Sequence, residues 1–151
     1  MYIDYYNSPI GLLKIKADNQ YVYMISSSIS EDEAINENGI TKKVKKELEE
    51  YFFGKRKEFS LKVKLEGTEF QMSVWNALMT IPYGETCSYK DIAIKVNNPK
   101  AAIAVGGANH NNKILLVIPC HRVIGANKSL VGFGLGLEAK KYLLDLEQDN
   151  I

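Results

Sequence analysis

The sequence predicts an α+β protein, a small antiparallel sheet with one helix followed by a mainly helical second half. Three observations carry that reading. Short β-branched and aromatic runs broken by turn residues fill the first 26 positions, helical periodicity begins near Thr41, and helix-cap signals recur from Thr68 onward. With 151 residues, 46% hydrophobic and 25% charged, the chain suits one or two small domains with a real core. The same fractions exclude a disordered chain, a collagen and a coiled coil.

Strands are expected over Tyr2–Tyr6, Leu12–Lys16 and Tyr21–Ser26, separated by the turn signals Asn7-Ser8-Pro9 and Asp18-Asn19. A helix follows from about Thr41 to Phe53, with Val44, Leu48, Tyr51 and Phe52 on one face and Gly54 as its stop. Phe59, Leu61, Val63 and Leu65 alternate with polar residues, the pattern of a half-buried strand. Residues 1–66 hold no repeat and no catalytic constellation, and read as a scaffold domain; residues 67–151 form the second domain.

In that second domain Thr68 and Gln71 make a capping box for a helix whose core face is Phe70, Val74, Ala77 and Leu78, ended by Ile81-Pro82-Tyr83-Gly84. Ser88 and Asp91 cap the next helix, with Ile92, Ala93 and Val96 inward. Asn98 as N-cap and Pro99 as first helical residue predict a third, running to about Asn109. Two helices joined by Asn97-Asn98 resemble a helix-turn-helix. The second is built of alanine and glycine with little bulk, which suits either tight internal packing or close docking into a DNA groove.

Charge points the same way without deciding it. Residues 1–67 carry 11 basic and 11 acidic side chains. Between Thr86 and Gly134 stand Lys90, Lys95, Lys100, Lys113, Arg122 and Lys128 against Asp91 alone, a surplus of +5 (6 − 1). Such a window is either a solvated lysine face or the footprint of a polyanionic partner. The longest unbroken apolar run, Ile114–Ile118, is far short of a membrane span, and the N-terminus lacks the pattern of a signal peptide. With two cysteines and no disulfide framework, the expectation is a soluble, cytoplasmic protein with no membrane association.

Cys87 reads as an inert buried thiol. Cys120, at the end of an apolar run expected to be a buried strand, is flanked by Pro119, His121 and Arg122, neighbours that could favour thiolate; an inert buried cysteine is the alternative. A histidine adjacent to the cysteine projects to the other face of an extended chain, so proton transfer between them would pass through a water. Cys87, His110, Cys120 and His121 lack zinc-ligand spacing, and Gly132-Phe133-Gly134-Leu135-Gly136 lacks the setting of a phosphate loop, so neither metal nor cofactor is expected.

Pro119-Cys120-His121-Arg122-Val123 resembles the acceptor motif of the O6-alkylguanine-DNA alkyltransferases (methylated-DNA–protein-cysteine methyltransferases). Phe70-Gln71, Val74-Trp75, Ile81-Pro82-Tyr83-Gly84-Glu85, Ser88-Tyr89, Asn98-Pro99-Lys100-Ala101-Ala102, Ala104-Val105-Gly106-Gly107-Ala108, Asn112 and Gly136-Leu137…Lys140…Leu143-Leu144…Glu147 add to the likeness, which is dense over residues 68–147. The resemblance implies a winged helix-turn-helix that binds double-stranded DNA in the minor groove as a monomer, in the cytoplasm (nucleoid-associated, or nuclear in a eukaryote). It also implies a flipped guanine whose O6-alkyl group moves irreversibly to Cys120, once per molecule.

By position, His121 would act through a water as base, Glu147 would orient His121, and Asn112 would be the hinge to the active-site segment. Tyr89 would meet the flipped base and its phosphate. The carbonyls of Cys120 and Val123 would accept from the guanine amino group, the Gly134 N–H would face O6, and Phe133 would wall the pocket where a tyrosine is usual. Arg122 would be a structural anchor. Lys90, Lys100, Ala101, Ala102, Ile103, Ala104 and Gly106 would lie against DNA, with Ile103 in place of the family's arginine finger and Gly134-Leu135 altering a usually small polar edge. Ile103 leaves open a lesion-sensing DNA binder that repairs poorly or not at all. An unrelated cysteine hydrolase would need a histidine bonded directly to the thiol.

Overall fold

The structure, a computed structural model, describes residues 1–125, 133 and 135–151. The fold is α+β, and the chain divides into two compact units: Met1–Leu65 with Lys113–Val117, and Glu66–Asn112 with Ile118–Ile151.

In the first unit, β1 (Tyr2–Ser8), β2 (Gly11–Ala17) and β3 (Val22–Ser27) form an antiparallel sheet in that order. The β1–β2 register pairs Ser8 with Gly11, and Gly11 turns the chain at φ +114, a value open to glycine but not to most residues. Helix α1 (Gly39–Phe52) opens on a capping box of Asn38 with Thr41 and buries Val44, Leu48, Tyr51 and Phe52. Leu13, Ile15, Val22 and Ile25 complete this core.

The expected strand at 59–65 is reduced to one parallel bridge, Val63 to Val22. Its burial does alternate as read, Phe59, Leu61, Val63 and Leu65 being half-buried between exposed neighbours, yet ladder pairing does not extend beyond that bridge. The Ile114–Ile118 strand is corrected in the same way. Ile114 bridges Ile25, but Leu116 then adopts φ +73 and the Val117 N–H donates to the Leu115 carbonyl, a three-residue turn that ends extension. These bridges and an antiparallel one between Ile3 and Asn36 partner the sheet's outer strands, which limits exposed edge.

In the second unit, α2 (Glu69–Leu78) has the Thr68–Gln71 capping box and buries Val74, Trp75 and Leu78. β4 (Cys87–Ser88) leads into α3 (Tyr89–Lys95), capped reciprocally by Ser88 and Asp91. α4 (Ala102–His110) starts three residues later than predicted. Asn98 is not its cap and Pro99 is not its first residue; both lie in a turn closed by the Ala101 N–H on the Asn98 carbonyl at 3.0 Å. Turn propensity outcompetes helix initiation there, since Asn-Pro serves both. A 3-10 turn at Cys120–Arg122, β5 (Val123–Ile124) and α5 (Leu137–Asp149) follow.

Trp75 ties α2 to α4, its buried indole Nε1 donating to the Ala108 carbonyl at 2.9 Å. That tether explains Gly67, where a Cβ would stand 2.7 Å from both Gln71 Oε1 and Trp75 Cη2. The ring is held and Gln71 is committed to the cap, so neither yields easily. Gly67→Ala should therefore destabilise the protein by about 1–3 kcal/mol. A urea midpoint lowered at unchanged slope is the expected result, and an unchanged midpoint would show that Trp75 is free to move.

Candidate active site

Local backbone geometry, more than any long strand, aims the reactive segment. Pro119 (φ −81, ψ 64) makes an inverse γ-turn, with the Cys120 N–H donating to the Ile118 carbonyl at 2.8 Å. The Arg122 N–H then reaches the Pro119 carbonyl at 3.0 Å, and Cys120–Arg122 close into a 3-10 turn. β5 leaves this turn and pairs in parallel with β4, Val123 opposite Cys87. Because Ser88 of β4 caps α3, that short pairing ties the start of Tyr89's helix to the residues just after Cys120.

Cys120, His121 and Arg122 are all buried, as are Lys140 and Glu147 on α5. Glu147 gathers the polar groups. His121 Nε2 lies 2.6 Å from Glu147 Oε2; Arg122 donates through Nε to Oε1 at 2.8 Å and through Nη2 to Oε2 at 3.0 Å; the Gly84 N–H donates to Oε1 at 3.0 Å. The third Arg122 nitrogen, Nη1, donates to the Ile81 carbonyl at 2.7 Å. Arg122 is thus consumed in anchoring α5 to the Ile81–Gly84 turn.

Charges follow from this geometry. Burial alone would raise the Glu147 carboxyl, but the hydrogen bonds and charges of His121 and Arg122 hold it well below the usual carboxylate range. Burial pushes the His121 imidazole down against the pull of Glu147, with Arg122 and Lys140 adding to the lowering. The ring is neutral near pH 7, and the short contact to Glu147 places its proton on Nε2. Nδ1 is then a bare lone pair, buried and without a hydrogen-bond partner among the described residues.

The thiol does not match the expectation of neighbours that favour thiolate. Burial pushes Cys120 up, and the Asn112 side chain, the Lys140 charge and the backbone N–H groups of Cys120 and His121 only partly offset it. Asn112 Nδ2 also donates to the Ile118 carbonyl at 2.7 Å, so one amide braces the turn and contacts the sulfur. Lys140 Nζ donates to the Val123 carbonyl, and burial lowers its own pKa.

Residues 69–149 match the family model described as 6-O-methylguanine DNA methyltransferase, DNA binding domain, and residues 1–65 match the ribonuclease-like domain of the same protein type. This chain belongs to the 6-O-methylguanine DNA methyltransferase family. A methylated-DNA–protein-cysteine methyltransferase of Methanosarcina acetivorans is 44% identical over 97% of this chain and 98% of its own. Its namesake from Haemophilus influenzae is 44% identical over 98% and 87%. Among solved structures, the Mycobacterium tuberculosis OGT in complex with DNA superposes with a TM-score of 0.91 at 39% identity, covering 99% of this chain and 94% of that one.

Within this methyltransferase fold the remaining predicted site residues divide by exposure. Cys120, His121, Glu147, Asn112, Tyr89 and Val123 come together at the Cys120–Arg122 turn. Phe133 is half-buried, and Gly134 lies outside the described residues. On the helix-turn-helix side Lys90, Lys100, Ile103 and Ala104 are exposed, whereas Ala101, Ala102 and Gly106 are half-buried. Ile103 is 94% exposed, extreme for an isoleucine.

Two residues escaped the sequence reading as members of the site. Lys140 was quoted only as part of a motif, although Lys140, Leu143 and Glu147 share one helical face at i, i+3 and i+7, the signature of a buried stripe. Asn109, buried on α4, had no signal beyond its place on the face of Val105 and Ala108.

The buried triad makes stability pH-dependent. His121 stays neutral in the folded protein where an unfolded imidazole, of ordinary value 6.5, takes a proton. Glu147 stays ionised where an unfolded carboxyl, of ordinary value 4.5, takes one. The unfolded state therefore binds more protons below those values, so stability falls with acid from about pH 6.5 and faster below about pH 4.5. Glu147→Gln should cost about 3–5 kcal/mol at pH 7 by leaving Arg122 without its counter-charge. Thermal melts should show a lower Tm for the variant at pH 7 and a shallower decline toward pH 4; parallel curves would contradict the assignment.

Proposed function

We propose that this chain is a single-turnover DNA repair protein that flips O6-alkylguanine out of double-stranded DNA and takes the alkyl group onto Cys120 Sγ. The observation that carries the reading is the buried thiol beside an imidazole whose Nδ1 lone pair is unpartnered and whose Nε2–H is held by a carboxylate. The Cys120 proton passes through a water to His121 Nδ1, and the imidazolium so formed is stabilised by Glu147. Sulfur attacks the saturated alkyl carbon in line, a C–S bond forms as the C–O6 bond breaks, and guanine leaves with the bond electrons and takes up a proton. The thioether has no easy route back, so the protein is consumed.

In this reading Tyr89 meets the base, and the Cys120 and Val123 carbonyls accept from its amino group. Asn112 holds the acceptor segment to α4, and Phe133 borders O6. A lone duplex-bound monomer works in the minor groove, in the cytoplasm, with Lys90 and Lys100 on phosphates and α4 close to the bases. Full-length relatives named as methyltransferases, together with the retained Cys120, favour transfer over a non-repairing lesion sensor. A cysteine hydrolase is disfavoured because His121 Nδ1 makes no bond to the thiol.

Intact mass after incubation with a duplex containing O6-methylguanine should show one added methyl group, mapped to Cys120 and limited to one equivalent. Cys120→Ala should take up none while still binding DNA. Transfer retained in that variant would move the acceptor to Cys87.

Position 103 governs how well the flipped state is held. An isoleucine protruding from α4 can fill a gap in the base stack but cannot hydrogen-bond the orphaned partner base. A charge-assisted hydrogen bond of about 1.5–3 kcal/mol is forgone. Ile103→Arg should raise the single-turnover rate on duplex DNA by roughly tenfold or more and leave single-stranded substrates little changed. Equal rates for both proteins on duplex would mean that the extrahelical base is held by other groups.

A further inference from the structure

Asn109 has no part in the proton relay, yet its buried amide reaches both Cys120 and Tyr89. It is 5% exposed, on the inner face of α4. Its Nδ2 lies 3.4 Å from the Cys120 carbonyl oxygen and donates toward it. The same side chain hydrogen-bonds the Tyr89 hydroxyl, an interaction that favours the oxygen's acceptor role. Its own Oδ1 is buried with no hydrogen-bond partner among the described residues, an arrangement that needs a reason beyond packing.

The backbone around Asn109 is fixed from two sides. The preceding residue, Ala108, accepts the Trp75 indole hydrogen bond at 2.9 Å. One turn back, Gly106 brings α4 against the Tyr89 ring: a Cβ there would already be in contact, at 3.9 Å from Cε1. Gly106 and Asn109 stand at i and i+3, so a single face of α4 approaches Tyr89 with backbone first and an amide next. That amide reaches the residue whose sulfur is the acceptor.

We propose that Asn109 is a positioning residue for base recognition, holding the Cys120 carbonyl and the Tyr89 hydroxyl in one mutual arrangement. The inference rests on the alkyl-transfer reading above. A backbone carbonyl has two lone pairs. One is occupied by Asn109 Nδ2, which fixes the direction of the other toward the exocyclic 2-amino group of the flipped guanine. Asn109 touches neither the sulfur nor the alkyl carbon, so it bears on which base is accepted and not on the nucleophilicity of the thiol. It also couples the helix proposed to lie on DNA to the pocket edge, since it sits on the same helix as Ile103.

The test compares single-turnover transfer from two duplexes that differ by one group, O6-methylguanine and its analogue lacking the 2-amino group, O6-methylhypoxanthine. Wild type should prefer the amino-bearing base. Asn109→Leu, close in volume and without polar atoms, should lose most of that preference, the ratio of the two rates falling by about tenfold, the worth of one well-made hydrogen bond. Iodoacetamide alkylation of Cys120 across pH should be unchanged, because the relay is intact. If Asn109→Leu does not fold, Asn109→Asp, which keeps the shape and removes the amide donor, should show the same collapse of the ratio.

Equal slowing on both duplexes, with the ratio kept, would reduce Asn109 to packing and overturn the proposal. So would a wild-type protein indifferent to the 2-amino group. Absence of transfer by wild type from either duplex would overturn the alkyl-transfer reading itself, and this inference with it.

Discussion

The second unit depends on one buried carboxylate. Glu147 accepts from His121, twice from Arg122, and from the Gly84 backbone, so α5, the acceptor turn and the Ile81–Gly84 turn meet at two oxygen atoms. A buried ion pair is weak evidence for net stability, because desolvation of both ions opposes their attraction. Its value here is geometric. With the third guanidinium nitrogen on the Ile81 carbonyl, Arg122 commits Nε, Nη1 and Nη2 to partners, which anchors the 3-10 turn that carries Cys120. Gly84 fits the same constraint: it turns at φ +81, and a Cβ there would lie 2.8 Å from the Ile151 side chain.

That constraint also sets the proton inventory. Glu147 and Arg122 neutralise each other, and a protonated His121 would add a third charge to a buried site; burial therefore keeps the ring neutral. Burial likewise keeps the thiol protonated. Neutral acid and neutral base side by side is a resting state with no stored charge separation. In the proposed transfer thiolate would be the nucleophile, so the proton would have to leave during the step. On that reading Lys140, Asn112 and two backbone N–H groups around the sulfur would stabilise the negative charge as it develops, which is where preorganised dipoles act most strongly.

Much of this was legible in the sequence wherever a short-range rule decides the outcome. The Thr68–Gln71 and Ser88–Asp91 capping boxes form as read, because each closes within one helical turn. The alternation at 59–65 correctly gives burial, which depends on one face, but not pairing, which depends on a distant strand. Asn98-Pro99 misleads because a turn and a helix start use the same residues, and only the tertiary setting chooses. Apolar content alone made Ile114–Ile118 a strand; the backbone reversal at Leu116 leaves no trace in residue type, leucine being among the residues that rarely take a positive φ. Polar members of buried helical faces are the hardest to see. Lys140 and Asn109 look like surface residues until their neighbours at three and four positions show them facing inward.

The composition of α4 admitted two readings, internal packing or approach to an outside surface, and its two faces satisfy both. Val105, Ala108 and Asn109 are buried, and Gly106 lets the Tyr89 ring come close. Ile103, Ala104 and Gly107 are exposed, and apart from Ile103 they present almost no side chain. A helix that is thin on both sides places an outer surface and the acceptor turn within little more than one backbone diameter of each other. Groups that must act at that distance have to be short and held from behind. Asn109 meets that requirement through the Trp75–Ala108 tether, and Ile103, with His110 at the helix end, breaks the outer face with bulk. Substitutions that thicken either face would separate what the helix brings together, so the small residues of α4 are a distance constraint between outer surface and thiol, not a default of weak packing.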